Sequence, residues 1–366
     1  MKIAAVEAIP FSIPLRRPSA FAHGTLSRAD HVLVRVTTDD GIVGHAEAPA
    51  RPFTYGESQE SIVKAIDSWI APAVLGTDPF ARERVRDSLR WLRYNHTARS
   101  AVDLAIWDVL GKALGKSCHQ LLGAFTESVP VVHIIFAEVP EAMGEEALRM
   151  RDRHGIGIFK IKTGKDPVVD TKAMRTVRSA LGDGAEIYVD ANKGWTPDEA
   201  IRLLPVMQET GITMIEEPTP AFHPLARRWV AGTSPIPVLA DESVTRLGEV
   251  AREVLDGHAQ LVSIKVARTG FTESARIAGL CEGLGTGVVV GSQMDGALGA
   301  LSALAFAAAY PGTSKRGAEL GYHLELADDI AAAPAIEHGR MTVPGVPGIG
   351  IEIDEPKLQH YRCDQD

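Results

Sequence analysis

Cysteine is scarce in this chain of 366 residues: Cys118, Cys281 and Cys363 are the only three, and no CxxC pair occurs. An odd number of widely spaced cysteines excludes a disulfide framework and is typical of proteins from a reducing compartment. The N-terminal stretch MKIAAVEAIPFSIPLRRP has a glutamate and prolines where a signal peptide would have an uninterrupted apolar region. These absences predict a cytoplasmic protein.

Long apolar runs and blocks of positive charge are also missing. The most apolar late stretch, residues 297–310, is too short to cross a bilayer and is predicted to be a buried helix. With 38 Lys and Arg against 47 Asp and Glu, the net charge is −9, and we expect no nucleic-acid or membrane partner. If the substrate is an anion, its attraction must come from a metal or a few local cations.

What the chain does have is 45% hydrophobic residues, enough for a large core, and a length that suggests about two domains at roughly 150 residues each. In the first third, residues 31–48 alternate around an Asp-Gly turn signal, and residues 97–116 carry a helical apolar face. Strands followed by helices predict an α+β domain over residues 1–125.

From about residue 129, short apolar segments alternate with helical ones. Eight strand candidates begin every 24 to 28 residues, at 130–138, 158–164, 186–192, 212–218, 236–243, 261–268, 287–293 and 315–321. Such alternation predicts parallel βα units, and a closed barrel over residues 126–322 is favoured over a doubly wound open sheet. No GxGxxG follows the first strand, which disfavours a dinucleotide-binding sheet. Residues 323–366 alternate again and are predicted to return to the first domain.

Charged and amide side chains recur where the predicted strands end. Those residues are Lys160 and Lys162, Asp190 and Asn192, Glu216, Asp241, and Lys265. The intervals from Asp190 onward are 26, 25 and 24 residues, so each residue holds the same height in its own βα unit. The C-terminal rim of a barrel is where such enzymes keep their active sites.

Three of these residues are carboxylates, Asp190, Glu216 and Asp241, and they would repel one another without a positive charge between them. A hard divalent cation with oxygen ligands is the simplest solution. Zinc is disfavoured, because no cysteine lies near and no histidine recurs at these strand ends.

The lysines suggest proton transfer. Lys160 and Lys162 are two residues apart, so in a strand they point to the same side. Their repulsion and burial lower a lysine pKa, whereas nearby carboxylates raise it, and the sequence leaves the net direction open. We interpret Lys162 as facing a reacting carbon, Lys160 as binding a substrate carboxylate, and Lys265 as reaching the opposite face of the substrate.

The motifs KIK, VDAN, IEEP, ADES and SIKVARTG, in this order, together with the AVDLAIWDVLGK helix, resemble the muconate lactonizing enzyme subgroup of the enolase superfamily. The resemblance implies an α/β fold, a modified (β/α)₇β TIM barrel with an N-terminal α+β capping domain, and a homo-oligomer. It implies Mg²⁺ (or Mn²⁺) on Asp190, Glu216 and Asp241, and Lys162 and Lys265 as an acid/base pair. The shared chemistry is proton transfer next to a carboxylate through an enolate.

Further segments bear on the substrate, a small-molecule carboxylate. Residues 48–58 resemble the capping loop of the muconate enzymes, and residues 291–299 and 315–321 resemble their last strand ends. The substrate-binding candidates in these segments are Tyr55, Gln293, Asp295 and Glu319, beside Lys160 and Asn192 at the earlier strand ends. We therefore predict muconate cycloisomerase activity, and Phe271, where a second glycine is common, is expected to narrow the pocket.

Two other interpretations stay open. One is an N-acylamino acid racemase or a dipeptide epimerase. Dipeptide epimerases usually carry paired aspartates near the eighth strand, and Asp328 and Asp329 are adjacent and placed beyond that strand, so the fit is weaker. The other is a barrel that only binds a metal or an anion, which the presence of both Lys162 and Lys265 disfavours.

Overall fold

The computed structural model describes residues 1–21, 24–136 and 138–364. An antiparallel sheet in the order β1-β2-β3 opens the chain, formed by Ile3–Phe21, Gly24–Thr38 and Val43–Pro49. The turn between β2 and β3 contains Gly41 at φ 86°, a left-handed conformation that glycine adopts without strain. The predicted hairpin is therefore confirmed.

Helices follow the sheet and cover one of its faces. They are α1 (Pro52–Tyr55), α2 (Gln59–Ala65), a π-helical turn (Ile66–Ile70), α3 (Ala71–Val74), α4 (Arg82–Ser88), α5 (His96–Leu114) and α6 (Cys118–Leu122). Helix α5 packs on β3 and is buried along most of its length, since its apolar residues also face the barrel. These elements form the capping domain.

Seven parallel strands follow β4 (Ser128–Pro130) and pair in the order in which they occur in the chain. They are β5 (Val132–Ile135), β6 (Ile158–Lys162), β7 (Glu186–Asp190), β8 (Ile212–Glu216), β9 (Val238–Ala240), β10 (Leu261–Ile264) and β11 (Gly287–Val290). Ala318 pairs with both Val131 and Val290 and so joins the first strand to the last. The sheet closes into a barrel, and the open-sheet alternative is wrong.

Helices α7 to α14 connect the barrel strands: Pro140–His154, Pro167–Leu181, Pro197–Glu209, Pro224–Thr233, Leu247–Leu255, Val266–Leu284, Ala297–Ala307 and Pro311–Ser314. Thr196 and Glu199 form a reciprocal capping box at the start of α9. Every residue of α13 is buried, which confirms the expected buried helix. Helix α12 is broken at Gly270, where φ is 62° and ψ is 179°.

The C-terminal residues cross both parts of the molecule. They form a 3₁₀ turn (Tyr322–Glu325), β12 (Ile336–Glu337), β13 (Arg340–Thr342) and α15 (Glu355–Tyr361). Strand β13 pairs with β4 below the barrel, whereas Leu326 and Arg362 form bridges with Leu15 and Phe11 of the first sheet. Among the described residues, no helix has both the length and the apolar character that crossing a membrane requires.

The contact between β3 and α5 predicts a glycine requirement. A Cβ at Gly44 would lie 2.1 Å from the backbone carbonyl oxygen of Ala105. The backbone of helix α5 would have to move to relieve this clash. We expect Gly44→Ala to lower the free energy of unfolding by about 1–3 kcal/mol, measured by urea denaturation. Gly248→Ala is the matched control, because a Cβ there meets nothing within 4 Å. Equal stability of the two variants would contradict this account of the packing.

Candidate active site

Strand register places the predicted site residues side by side at one end of the barrel. Lys162 is opposite Asp190 across the β6–β7 pair, and Asp190 is opposite Glu216 across the β7–β8 pair. Asp241 and Lys265 directly follow the last residues of β9 and β10. Five neighbouring strands thus end in chemically active side chains at the C-terminal rim.

Lys160 lies at the centre of the carboxylates. Its Nζ is 2.5 Å from Glu319 Oε1, 3.1 Å from Glu216 Oε2 and 3.3 Å from Asp190 Oδ2. The side chain is fully buried, and burial lowers its pKa, but Glu216, Glu319 and Asp190 raise the pKa well above that of a free lysine. The pKa direction that the sequence left open is therefore upward for Lys160.

Lys162 lies nearer to the solvent, with 27% of its side chain exposed. Its Nζ donates to Asp190 Oδ2 at 2.6 Å and to Asn192 Oδ1 at 2.9 Å. Both lysines of the KIK motif therefore contact one oxygen of Asp190, as two residues on the same side of a strand can. Asn192 also donates from Nδ2 to Glu242 Oε1 at 3.2 Å, which orients the Asn192 amide.

Asp241 and Lys265 form a second pair on the same rim. The Lys265 Nζ is 2.5 Å from Asp241 Oδ2, and Arg268 NH1 donates to Asp241 Oδ1 at 2.9 Å. Burial raises the pKa of Asp241, but Lys265 and Arg268 lower it far more, so the carboxylate stays ionised. Burial lowers the pKa of Lys265, but Asp241, Tyr55 and Glu216 together raise it more, so the ammonium form is favoured.

Lys162 and Lys265 lie at the ends of strands on opposite sides of the barrel. Lys162 ends β6 and Lys265 follows β10, four positions further around a ring of seven strands closed by Ala318. Both line one central cavity of about 50 Å³. A molecule in this cavity would therefore meet an ammonium group from each side.

Glu216 is the rim carboxylate whose ionised form is the least favoured. Burial and then Asp190 raise the pKa of Glu216 well above its ordinary range, despite the opposing effect of Lys160. Burial also raises the pKa of Asp190, but Lys162 and Lys160 lower it more. A further positive charge among these carboxylates would stabilise all of them in the ionised form.

A buried ion-pair network behind the rim fixes the position of Asp241. Glu217 Oε1 accepts hydrogen bonds from the backbone N–H of Asp241 at 2.7 Å and of Ser243 at 2.9 Å. Its other oxygen accepts from Arg227 NH1 at 2.8 Å, and Arg227 Nε donates to Glu253. Glu217 belongs to the IEEP motif, yet its role could not be assigned from the sequence, because its partners lie on other strands and helices.

The capping domain closes the cavity from above. Tyr55 at the end of α1 accepts a hydrogen bond from Arg268 NH1 at 2.8 Å, and Arg51 lines the same cavity. Gln293 lines it too, and donates to Thr97 Oγ1 of α5 at 2.9 Å. Glu319 accepts from Tyr188 Oη at 2.8 Å and from the Ser292 N–H at 2.8 Å.

Two residues do not lie where the sequence suggested. Asp295 accepts from Ser292 Oγ and from the Gln293 N–H, and it is not among the described residues that line the cavity. Burial and then Glu47 raise the pKa of Asp295 to about 6. Phe271 is buried against Trp107 with ring centroids 5.8 Å apart, so it fills the core between the two domains and does not narrow the pocket.

Other residues at the site were not predicted. Arg268 lies in the quoted SIKVARTG motif and Arg51 in the capping-loop segment, so both were visible in the sequence without an assigned role. Apolar and polar cavity residues that were also missed are Ile134, Phe136, Thr54, Glu242, Ser292 and Met294. Only the fold brings them to the rim, since no spacing rule connects them.

The donor set fits a hard divalent cation. Asp190, Glu216 and Asp241 are buried, offer only carboxylate oxygens and come from successive strand ends. A second group, His133, Glu146 and Glu325, has one possible ligand atom from each residue within 4.8 Å of the others. Arg17 already pairs with both of these glutamates, at 2.6 Å and 3.2 Å, so an arginine already supplies a positive charge to that group.

A TIM barrel under an α+β cap, with three carboxylates and flanking lysines at its C-terminal rim, is the architecture of a barrel enzyme. Residues 4–123 match the family model "Mandelate racemase / muconate lactonizing enzyme, N-terminal domain", and residues 142–357 match "Enolase C-terminal domain-like". The chain belongs to the enolase superfamily, in its muconate lactonizing enzyme-like subgroup. The family expected from the sequence is thus confirmed, and members of this superfamily use a divalent metal.

Solved and curated relatives agree on the family and differ in activity. A muconate lactonizing enzyme from Mucobacterium Smegmatis, solved with muconolactone, is 45% identical, with a TM-score of 0.97 and 100% of both chains covered. Muconate cycloisomerase 1 of Rhodococcus opacus is 30% identical over 97% of this chain and 96% of its own. An L-Ala-D/L-Glu epimerase of Clostridium acetobutylicum is 31% identical over 93% of this chain and 96% of its own.

The two candidate cation sites can be separated by Mn²⁺ binding. We expect Glu216→Gln to raise the Kd for Mn²⁺ at least about tenfold, because a hard cation loses a charged oxygen ligand. Glu325→Gln is the control and should leave the Kd unchanged. Electron paramagnetic resonance of free Mn²⁺ measures both. The reverse pattern would assign the cation to the group around His133.

Proposed function

We propose that this protein is a muconate cycloisomerase that closes cis,cis-muconate to muconolactone. One observation carries the proposal: Lys162 and Lys265 reach one cavity from strands on opposite sides of the barrel, beside three buried carboxylates. The structure with 45% identity is that of a muconate lactonizing enzyme with muconolactone. Support therefore comes both from the site and from similarity along the whole chain.

The reaction needs a proton donor next to a forming carbanion. One substrate carboxylate adds to the double bond, a C–O bond forms, and the carbon next to the other carboxylate receives a proton. Lys265 is held in the ammonium form by Asp241, which is the form that donates a proton. Lys162 offers a second ammonium on the other face, so either lysine could deliver the proton, with opposite stereochemistry.

The remaining residues bind charge and shape the cavity. Lys160 is buried among carboxylates and is suited to hold a substrate carboxylate oxygen. When bound at Asp190, Glu216 and Asp241, a divalent cation supplies positive charge that stabilises the enolate oxygen. Ile134 and Phe136 give the cavity an apolar wall that suits a hydrocarbon chain.

A racemase or epimerase of acylated amino acids or dipeptides is the second candidate, because curated relatives at 30–31% identity have these activities. The paired aspartates of the tail do not support the dipeptide version. Asp328 contacts Lys357 at 2.5 Å and Tyr361 at 3.2 Å, and Asp329 accepts from the Ala297 N–H. Neither is among the described residues that line the central cavity.

Turnover of muconate tests the assignment directly. Purified protein with Mn²⁺ should consume cis,cis-muconate, because closing the ring breaks the conjugated diene and its ultraviolet absorbance falls. N-Acylamino acids and dipeptides, assayed in parallel in D₂O by proton NMR, should show no exchange at the α-carbon. Exchange there without muconate turnover at millimolar substrate would favour the racemase or epimerase instead.

The lysine that delivers the proton can be identified by substitution. We compare Lys162→Ala with Lys265→Ala. The variant that lacks the proton-donating lysine is expected to show a kcat for muconate lower by about 10²- to 10⁴-fold, which is the usual contribution of a positioned acid. The product formed in D₂O should carry deuterium on one face only. Lys193→Ala is the control, because Lys193 lies on the rim but pairs with Glu242 at 3.4 Å. Full activity of both lysine variants would contradict the mechanism.

A further inference from the structure

A second cavity, of about 460 Å³, lies between the capping domain and the barrel. Residues of α4 and α5 form one wall, and residues at the starts of α11 and α12 form the other. It is larger than the central cavity of about 50 Å³, and none of the five strand-end residues at the rim lines it. Arg268, which does line it, follows Lys265 by three positions.

The walls of this cavity are strongly positive in a chain whose net charge is −9. Six arginines line it, against three acidic residues. The arginines are Arg86, Arg90, Arg93, Arg99, Arg246 and Arg268. Two of the acidic residues have partners of their own: Glu273 binds Arg86 at 3.1 Å, and Asp103 accepts from the Thr272 hydroxyl at 2.6 Å.

Two guanidinium N–H groups in these walls are buried and lack a hydrogen-bond partner among the described residues. They are the Nε groups of Arg99 and Arg268. The Nε of Arg246 lies 3.6 Å from Glu249 Oε1. Arg268 is only 2% exposed, so solvent reaches little of its side chain. A buried donor without a partner costs about 1–3 kcal/mol, and a charged one more. An anion in the cavity would offer acceptors where the protein supplies none.

The titration of neighbouring groups supports the positive potential. Burial lowers the pKa of His96 to about 4, and Arg246, Arg268 and Arg99 lower it as well. Burial also lowers the pKa of Arg99, and although Glu273 opposes this, Arg246 and Arg86 lower it further. His96 is therefore neutral near pH 7, and the excess positive charge belongs to the arginines.

We propose that this cavity binds a compact oxyanion with two or more negative charges, either a phosphate group or a small dicarboxylate. The planar guanidinium group presents donors in the spacing that both kinds of anion accept, so arginine is well suited to them. The anion would contact Arg99 from the capping domain and Arg246 from the barrel, and so would link the two domains. Arg268 lines this cavity and also contacts Tyr55 and Asp241, which line the central cavity.

Calorimetric titration of the full chain in saturating Mg²⁺ and low salt tests the proposal, with inorganic phosphate and succinate as separate probes. We expect saturable binding of at least one probe. The probe with the lower Kd shows whether the cavity prefers a phosphate group or a dicarboxylate. Arg99→Gln should raise the Kd at least about tenfold, because a charge-assisted hydrogen bond is lost. Arg246 is partly exposed, so Arg246→Gln provides a second test if Arg99→Gln fails to fold.

Arg84→Gln is the matched control, because Arg84 lies on the same helix as Arg86 but lines a different cavity. Its Kd should stay within about twofold of the unsubstituted protein. Absence of saturable binding for both probes would overturn the proposal. So would unchanged binding in the folded Arg99 and Arg246 variants, which would place the anion at the active site, or equal weakening in Arg84→Gln, which would indicate only general charge attraction.

Discussion

Buried negative charge at the rim of the barrel determines the arrangement of the rest of the site. Asp190, Glu216 and Asp241 end neighbouring strands, and carboxylates this close in an apolar interior repel one another strongly. In the structure the charge is balanced by Lys160, Lys162 and Lys265, each in direct contact with at least one carboxylate. The carboxylates in turn raise the pKa of Lys160 and Lys265, so the electrostatic requirement of the fold also supplies Lys265 as a proton donor for the proposed reaction.

Both the barrel and the capping domain hold the charged residues of the rim in position. Parallel strands in register bring residues that are 24 to 28 positions apart in sequence to the same height. The cap covers the rim, and it is fixed to the barrel by contacts such as Gln293 with Thr97. At Gly270 a Cβ would lie 2.4 Å from Asp103 of α5, so this close approach requires glycine. Burial of the rim carboxylates strengthens their charge interactions.

Periodicity made the barrel and its rim predictable from the sequence. Each βα unit has a similar length, so regular spacing identified Asp190, Glu216, Asp241 and Lys265 before any fold was known. Their proposed roles in catalysis and metal binding remain predictions. Arg268 and the pair Glu217–Arg227 could not be assigned, because their partners are set by packing between elements and not by spacing. The eighth strand was predicted as seven residues, but its bridges to the neighbouring strands are confined to Ala318.

Specificity within the family must come from what varies around a common rim. A cycloisomerase and an epimerase are about equally identical to this chain, so membership of the family alone does not choose between the two activities. The substrates of the two activities differ in the group that lies far from the reacting carbon and that the enzyme must bind. An epimerase for dipeptides must stabilise an ammonium, whereas a lactonizing enzyme must orient a second carboxylate. Arg51 lies at the lid side of the central cavity, and Asp328 and Asp329 contact structural partners, so the charge available to the distal group of a substrate favours a carboxylate.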